Sequence, residues 1–389
     1  MRVGHPCGAC PRIESLSETT KVSTMLSVST PPNGSGTRPV ASRSQQRAEQ
    51  QRRQQEKTRR RRQRLLPVLG AVIVTFGVLI WYVTKGSSTT STAPSTTQPT
   101  VTTTTVPLYV PPPIKPTVSS PTSGEGQWVA KDTWLPGAPA VLTTTWRPEP
   151  NNLNVIAYGT WMRTSSTQLS LYPGYKGPGP TTLDRGPQQV PTSARPNLVA
   201  TFNSGFYEAD AAGGFYAHGT LYNPMINGLA TVVTYANGTA NIISWQAGPT
   251  PPSNVVMARQ NLSMLVNNSA PTATAATGSS WGITLGGVPA VWRTGLGIDA
   301  HGNLMYVAAA SQTAASLAQI LIQMGAVRGM QLDINPAWPI FVTYAGPNAV
   351  GPSLFVPNPQ QTASRFLVSS TKDFFAVFQR VPGMVQQPW

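Results

Sequence analysis

VWRTGLGIDAHGNLMYVAAASQTAASLAQILIQMGAVRGMQLDINPAW, residues 291–338, decides the fold class of this chain. Its first apolar run, Gly295 to Ile298, resumes at Leu304 to Ala309 after Asp299, His301 and Gly302, the pattern of two strands joined by a turn. Thr313 then stands as an N-cap, Leu317, Ile320, Leu321 and Met324 recur on one helical face, and Gly325 supplies the stop. Ala326 to Leu332 is apolar again, so strand, helix and strand follow one another over about thirty residues, the spacing of a crossover that places its two strands parallel in one sheet. Asp333 falls at the carboxyl end of the second strand, where open sheets commonly hold ligands. The class this predicts is α+β, a mixed sheet with few helices.

Upstream the texture agrees. From about Gln127 onward, short apolar runs alternate with Gly, Pro and Asn, as in a β-rich domain. Leu229 to Tyr235 and Thr239 to Trp245 flank Ala236, Asn237 and Gly238, and Asn-Gly favours the positive backbone angles of a tight hairpin. No cysteine occurs in residues 127–389, so this domain is stabilised by its core and not by disulfides.

The rest of the chain is not of this kind. The net charge of +15 over 389 residues suggests a polyanion partner until the charges are located. They concentrate at Arg52, Arg53, Lys57, Arg59, Arg60, Arg61, Arg62 and Arg64, in a polar stretch, residues 1–64, too basic to bury a core. Nucleic-acid binding is not expected of the domain that follows. Residues 65–84, LLPVLGAVIVTFGVLIWYVT, are an uncharged apolar run of about the length that spans a bilayer. The arginine block before it and Trp81 and Tyr82 at its far end orient it with the N-terminus cytoplasmic and the C-terminal domain outside. Residues 85–126, with VTTTTVPLYVPPPIKPTV at 101–118, read as an extended Pro/Thr/Ser-rich stalk. The expected protein is a single-pass cell-membrane protein whose basic tail meets anionic lipid headgroups. Cys7 and Cys10, beside His5, form a lone CxxC that lacks the further ligand and folded frame of a zinc site.

Acids and bases are scarce in the domain, which narrows the search for chemistry. No GxSxG, HExxH or P-loop occurs. Asp333 presents a carboxylate at the end of a buried strand, suited to proton transfer, sugar orientation or cation binding, with a turn-capping role as the alternative. Arg293 follows an apolar strand, where a guanidinium can grip a phosphate in bidentate fashion, unless it is a surface arginine. Asn203 offers a donor and an acceptor beside Gly205, a residue that permits close backbone approach; a plain strand-to-loop turn would look the same. His218, in the Gly-rich GGFYAHGT, is a candidate acid or base against a structural histidine. His301 and Asp299 fall in the expected turn, Arg259 is a further buried-looking arginine, and Glu208 and Asp210 are candidate cation or sugar ligands on a loop.

Three of these pieces in order resemble the phosphodiester glycosidase domain family: FNSGFY at Phe202 to Tyr207, RTGLGIDAHGNLMYVAA at Arg293 to Ala309, and SLAQILIQMGAVRGMQLD at Ser316 to Asp333. The resemblance implies hydrolysis of a sugar-1-phosphate diester, with Asn203, Gly205, Arg293, Gly297, Asp299 and Asp333 at the matching positions. One departure matters. Where the family continues its Leu-Asp with glycines and a serine, this chain has Ile334, Asn335, Pro336, Ala337 and Trp338. Proline removes an N–H and isoleucine adds bulk, which argues against a phosphate cradle built from that backbone.

The expected function is therefore a membrane-anchored extracytoplasmic hydrolase that cleaves a sugar from a phosphodiester in a cell-envelope polymer or glycolipid. Asp333 and His218 would be its catalytic residues, with Asn203, Gly205, Arg293, Gly297, Asp299 and Asn335 binding substrate. A divalent cation is the one cofactor left open. The alternative is a non-catalytic glycan-binding or envelope-organising module on the same fold, in which Trp338 stacks on a sugar ring.

Overall fold

Asn237 and Gly238 turn as their chemistry requires. Gly238 takes φ +83°, its N–H donates to the Tyr235 carbonyl at 2.8 Å, and Asn237 Oδ1 accepts from the Thr239 N–H at 3.0 Å. The computed structural model describes residues 108–135, 137–282 and 287–380. The basic tail, the CxxC pair, the apolar run at 65–84 and the stalk as far as residue 107 lie outside the described residues. Among the described residues no helix is long and apolar enough to cross a membrane.

Among the described residues three sheets make up the domain. The first runs, in spatial order, β1 (Val129–Ala130), β2 (Val141–Trp146), β3 (Ala157–Met162), β14 (Leu304–Gln312), β13 (Val291–Ile298), β15 (Arg328–Gln331), β11 (Met264–Asn267) and β12 (Ala270–Pro271). A second orders β7 (Thr220–Asn223), β6 (Phe215–Ala217), β10 (Val255–Gln260), β8 (Ala230–Tyr235) and β9 (Ala240–Ser244). The third orders β17 (Ser353–Leu354), β16 (Phe341–Thr343), β5 (Leu198–Asn203), β18 (Phe374–Gln379) and β4 (Thr167–Tyr172). The α-helix α1, Ala314–Gln323, starts at Thr313, whose side chain and that of Ser316 form a reciprocal capping box, and ends before Gly325 at φ +95°.

The crossover differs from the expectation in one respect. β14 and β15 do run parallel, but β13 lies between them and pairs antiparallel with both. Every ladder between the described strands is antiparallel, so the sheets are not mixed at the level of hydrogen bonding. β13 and β14 form a tight hairpin, and α1 then returns the chain to the far side of β13, over the glycines of β13 and β15. A Cβ at Gly297 would stand 3.0 Å from Ala326 Cβ and one at Gly329 would stand 2.9 Å from Leu321 Cδ1, so bare backbone there lets α1 seat on the sheet. The two-residue period then sorts β14: Met305, Val307 and Ala309 pack toward the helix, while Leu304, Tyr306 and Ala308 face the opposite core with Leu296, Phe202, Phe341 and Phe375.

Residues 108–126, read from the sequence as the far end of a stalk, lie against this domain. Ile114 is buried, its N–H donates to the Gly126 carbonyl at 2.9 Å, and the Arg163 guanidinium donates to the Tyr109 carbonyl at 2.6 Å. Glu125 meets Arg147 at 2.7 Å, and that guanidinium holds the carboxyl down to about 2.

Candidate functional site

A cavity of about 790 Å³ opens where β13 begins and β14 and β15 end, a size in the range of small-molecule sites. Its walls include Phe206 and Tyr207 after β5, Trp292 and Ser311 from the β13–β14 pair, Asp333 to Pro336 and Trp338 after β15, and Lys372 before β18. The β13–β14 register slips between Val291 and Arg293, and Ser311 adopts φ +55°. A bulge of this kind re-aims side chains, here placing Trp292 and Ser311 on the cavity wall.

Asp333 is held from both ends. Its carbonyl accepts from the Thr294 N–H at 3.0 Å and the Thr294 hydroxyl at 2.8 Å. Its Oδ1 accepts from the Asn335 N–H at 2.8 Å, the turn-capping bond weighed above, and its Oδ2 forms an ion pair with the Lys372 ammonium. The carboxylate is 1% exposed yet lines the cavity. Asn261 ties this strand end to the opposite wall: Nδ2 donates to the Gln331 carbonyl at 2.7 Å, while Oδ1 accepts from the Phe206 N–H at 3.1 Å. A Cβ on Gly205 would stand 2.8 Å from the Asn261 side chain, so the close approach that Gly205 permits is to Asn261.

Lys372 sits in an aromatic enclosure. Its Nζ lies 4.6 Å from the centre of the Tyr207 ring and 5.4 Å from that of Trp338, distances at which ring faces attract a cation. Burial pushes the ammonium down to about 8, against the opposing pull of Asp373. Arg365 stands 5.2 Å over the Trp338 ring and donates to Thr371 Oγ1 at 3.0 Å. Behind them Arg259 pairs with Asp373 at 2.9 Å and donates to the Phe206 carbonyl at 2.6 Å, fixing the FNSGFY segment to the segment that carries Lys372.

Of the candidates read from the sequence, Asp333, Asn335, Asp210 and Trp338 line this cavity; the others do not. Arg293 is buried with its guanidinium directed to backbone and Gln331: it donates to the Gln312 carbonyl at 2.8 Å, the Trp281 carbonyl at 3.1 Å and Gln331 Oε1 at 2.6 Å. Burial lowers it to about 10. Asn203 is spent in the core, donating to Thr294 Oγ1 at 3.0 Å and accepting from the Tyr306 hydroxyl at 2.8 Å and the Ile340 N–H at 3.2 Å. Gly297 faces α1. Asp299 caps its own turn, accepting from the His301 and Asn303 N–H groups at 2.8 Å and from the Trp161 indole at 3.0 Å, and His301 stacks on Tyr109 at 3.7 Å. His218 borders a different cavity, of about 520 Å³. Its Nε2 lies 2.9 Å from the Leu171 carbonyl and burial pushes it down to about 4, so the ring is neutral. Glu208 is exposed and accepts from the Gly179 N–H at 3.2 Å.

Sequence reasoning missed Lys372, Tyr207, Trp292 and Ser311. Lys372 had a signal: a charged Lys372-Asp373 pair directly before the apolar FFAVF repeats, in reverse order, the Leu-Asp pattern that singled out Asp333. The arrangement can accept a proton at Asp333, hold an anion at Lys372 and stack a sugar ring on Tyr207 or Trp338. Among the described residues no three His, Cys, Asp or Glu side chains converge as a metal ion would need.

Residues 196–333 match the model of the phosphodiester glycosidase family, which bears out over that stretch the resemblance read from FNSGFY, the β13–β14 hairpin and the helix. Among solved structures the chain is similar to the catalytic domain of zebrafish N-acetylglucosamine-1-phosphodiester alpha-N-acetylglucosaminidase, auto-inhibited by its pro-peptide. The identity is 16%, over 65% of this chain and 87% of that one, with a TM-score of 0.43. It is also similar to a hypothetical protein from Synechocystis, at 14% identity over 62% of this chain and 64% of that one, with a TM-score of 0.35. No curated protein matches.

Proposed function

We propose, with residues 196–333 matching the phosphodiester glycosidase family as the premise, that this protein hydrolyses a sugar from a sugar-1-phosphodiester. The observation that carries the reading is Asp333: a carboxylate 1% exposed, at a strand end inside the matched stretch, on the wall of a cavity large enough for a sugar phosphate. In the reaction a water oxygen bonds to the anomeric carbon as the bond from that carbon to the phosphate oxygen breaks, its electron pair leaving with the phosphate. Asp333 takes the water's proton. The products are the free sugar and a phosphate monoester. Tyr207 and Trp338 flank the sugar, and Asn335, exposed on the rim, offers it an amide. His218 and Arg293 have no part in this scheme.

The substrate in this proposal belongs to a cell-envelope polymer or glycolipid, a reading supported by the apolar run at 65–84 and the arginines before it, the sequence pattern of a chain with its C-terminal domain outside a membrane. Incubation of the full chain with a panel of sugar-1-phosphodiesters, with and without calcium and magnesium, tests it. Sugar release that D333N eliminates, in a variant that still melts cooperatively, is the expected result. Release undiminished in D333N removes Asp333 from the mechanism.

One observation favours a second reading. The DINPAW segment presents Trp338 to the cavity while Asp333 is already neutralised by Lys372, as a glycan-binding module would have it. Retention of wall polymer with no product released supports that module.

A further inference from the structure

Lys372 lies outside the stretch that matches the family, and Arg293, the cation the sequence offered for phosphate, is turned to backbone carbonyls away from the cavity. A different group must then meet the anion if the hydrolase reading, on which this inference rests, holds. We infer that Lys372 is the phosphate-binding cation of the cavity, and that a phosphodiester takes it from Asp333 by exchanging one ion pair for another.

The geometry supports this in three ways. First, among the described residues Asp333 is the oxygen partner of the Lys372 ammonium, and the Tyr207 and Trp338 rings shield it on other sides. An ammonium carries three donors, so capacity remains for an oxygen entering from the cavity. Second, Asp333 and Lys372 are both buried and both line the cavity, so an anion seated there meets the pair directly. Third, Arg365 adds a second cation beside Trp338 with a hydroxyl for its partner and no carboxylate ion pair among the described residues, so an incoming monoanion finds positive charge beyond that which Asp333 offsets. The acids facing Lys372 are Asp333, Asp373, which is held by Arg259, and Asp210, which is exposed and screened by solvent.

The exchange links binding to chemistry. While Asp333 is paired with Lys372 its carboxylate is a poor proton acceptor; once the phosphate occupies Lys372, Asp333 is released to deprotonate water. An uncharged glycoside leaves the pair closed, so the cavity discriminates against neutral sugars.

The test titrates the full chain with dimethyl phosphate, a monoanionic diester, and with uncharged trimethyl phosphate, following tryptophan fluorescence and heat. Dimethyl phosphate binds the wild type in preference to trimethyl phosphate, and K372M, checked for its fold by circular dichroism and melting, weakens it on the order of tenfold or more. D333N, which removes the competing carboxylate, tightens it severalfold while abolishing any sugar release. A merely structural pair gives the opposite sign, because loss of Asp333 would disorder Lys372. Equal affinity in a folded K372M, or weaker affinity in D333N, overturns the assignment; if K372M does not fold, the D333N result decides alone. Both lipid and sugar diesters present this anion, and tighter binding of the methyl diester of glucose 1-phosphate than of dimethyl phosphate assigns the site to the sugar, whereas weaker binding overturns that assignment. Anion binding with these signs but no sugar released from any diester leaves the cation's role standing and sinks the hydrolase.

Discussion

Asn203 separates a structural from a substrate-binding account of the FNSGFY segment, and N203A is the perturbation that does so. The amide sits 3% exposed between β5, β13, β14 and the start of β16. Truncation orphans two buried donors, the Tyr306 hydroxyl, which now donates to Oδ1 at 2.8 Å, and the Ile340 N–H, at 3.2 Å. Thr294 Oγ1 also loses its donor at 3.0 Å. At about 1–3 kcal/mol for each of the two stranded buried donors, the cost is about 2–6 kcal/mol. For a domain of this size that lowers Tm by about 5–15 °C. The assay is urea and thermal unfolding followed by tryptophan fluorescence, with turnover measured on the fraction still folded. A variant that melts with the wild type but no longer binds substrate would refute the reasoning and return Asn203 to the site.

L321A removes a fully buried side chain that fills the space above Gly295 and Gly329, and is expected to cost about 2–5 kcal/mol in urea titration with activity per folded molecule unchanged. His218 has its folded pKa depressed to about 4. Its contribution to stability is therefore complete above the unfolded value near 6.5 and lost as pH falls from there toward 4, and H218Q should flatten the melting-temperature profile in that window. Lys372, lowered to about 8, loses its charge as pH rises through that value, so turnover on a phosphodiester should decline above pH about 8 and the decline should move upward in K372R.

Local patterns were legible in the sequence wherever one short stretch carried all the information. The hairpin at Asn237-Gly238, the helix from Thr313 to Gly325 and the strand end at Asp333 are each specified by their own residues. What the sequence could not show is which strands meet. The seating of α1 over β13 and β15 depends on Gly295, Gly297 and Gly329 lining up under one leucine, a coincidence across three segments. The same holds for the site. Arg293 and Lys372 both border apolar strands, but the slip in the β13–β14 ladder sends Arg293 toward the Gln312 carbonyl and Trp292 to the cavity, while the turn at Ser370 delivers Lys372 to Asp333. Asn203 shows the limit of residue type as a guide: an amide that can bind a ligand can equally bind four core groups. The proline-rich stretch at 108–126 reads as an extended stalk, yet the chain bends at 117–120 and turns at 123–126, and Ile114 and Glu125 give it two fixed points on the domain.

Which bond breaks separates a glycosidase from a phosphodiesterase, and hydrolysis of a sugar-1-phosphodiester in water enriched in oxygen-18 measures that directly. Attack at the anomeric carbon with Asp333 accepting the proton predicts label in the hydroxyl of the released sugar and none in the phosphate monoester, with both products lost in D333N. Label in the phosphate would mean attack at phosphorus, and would contradict the glycosidase assignment whatever the fold.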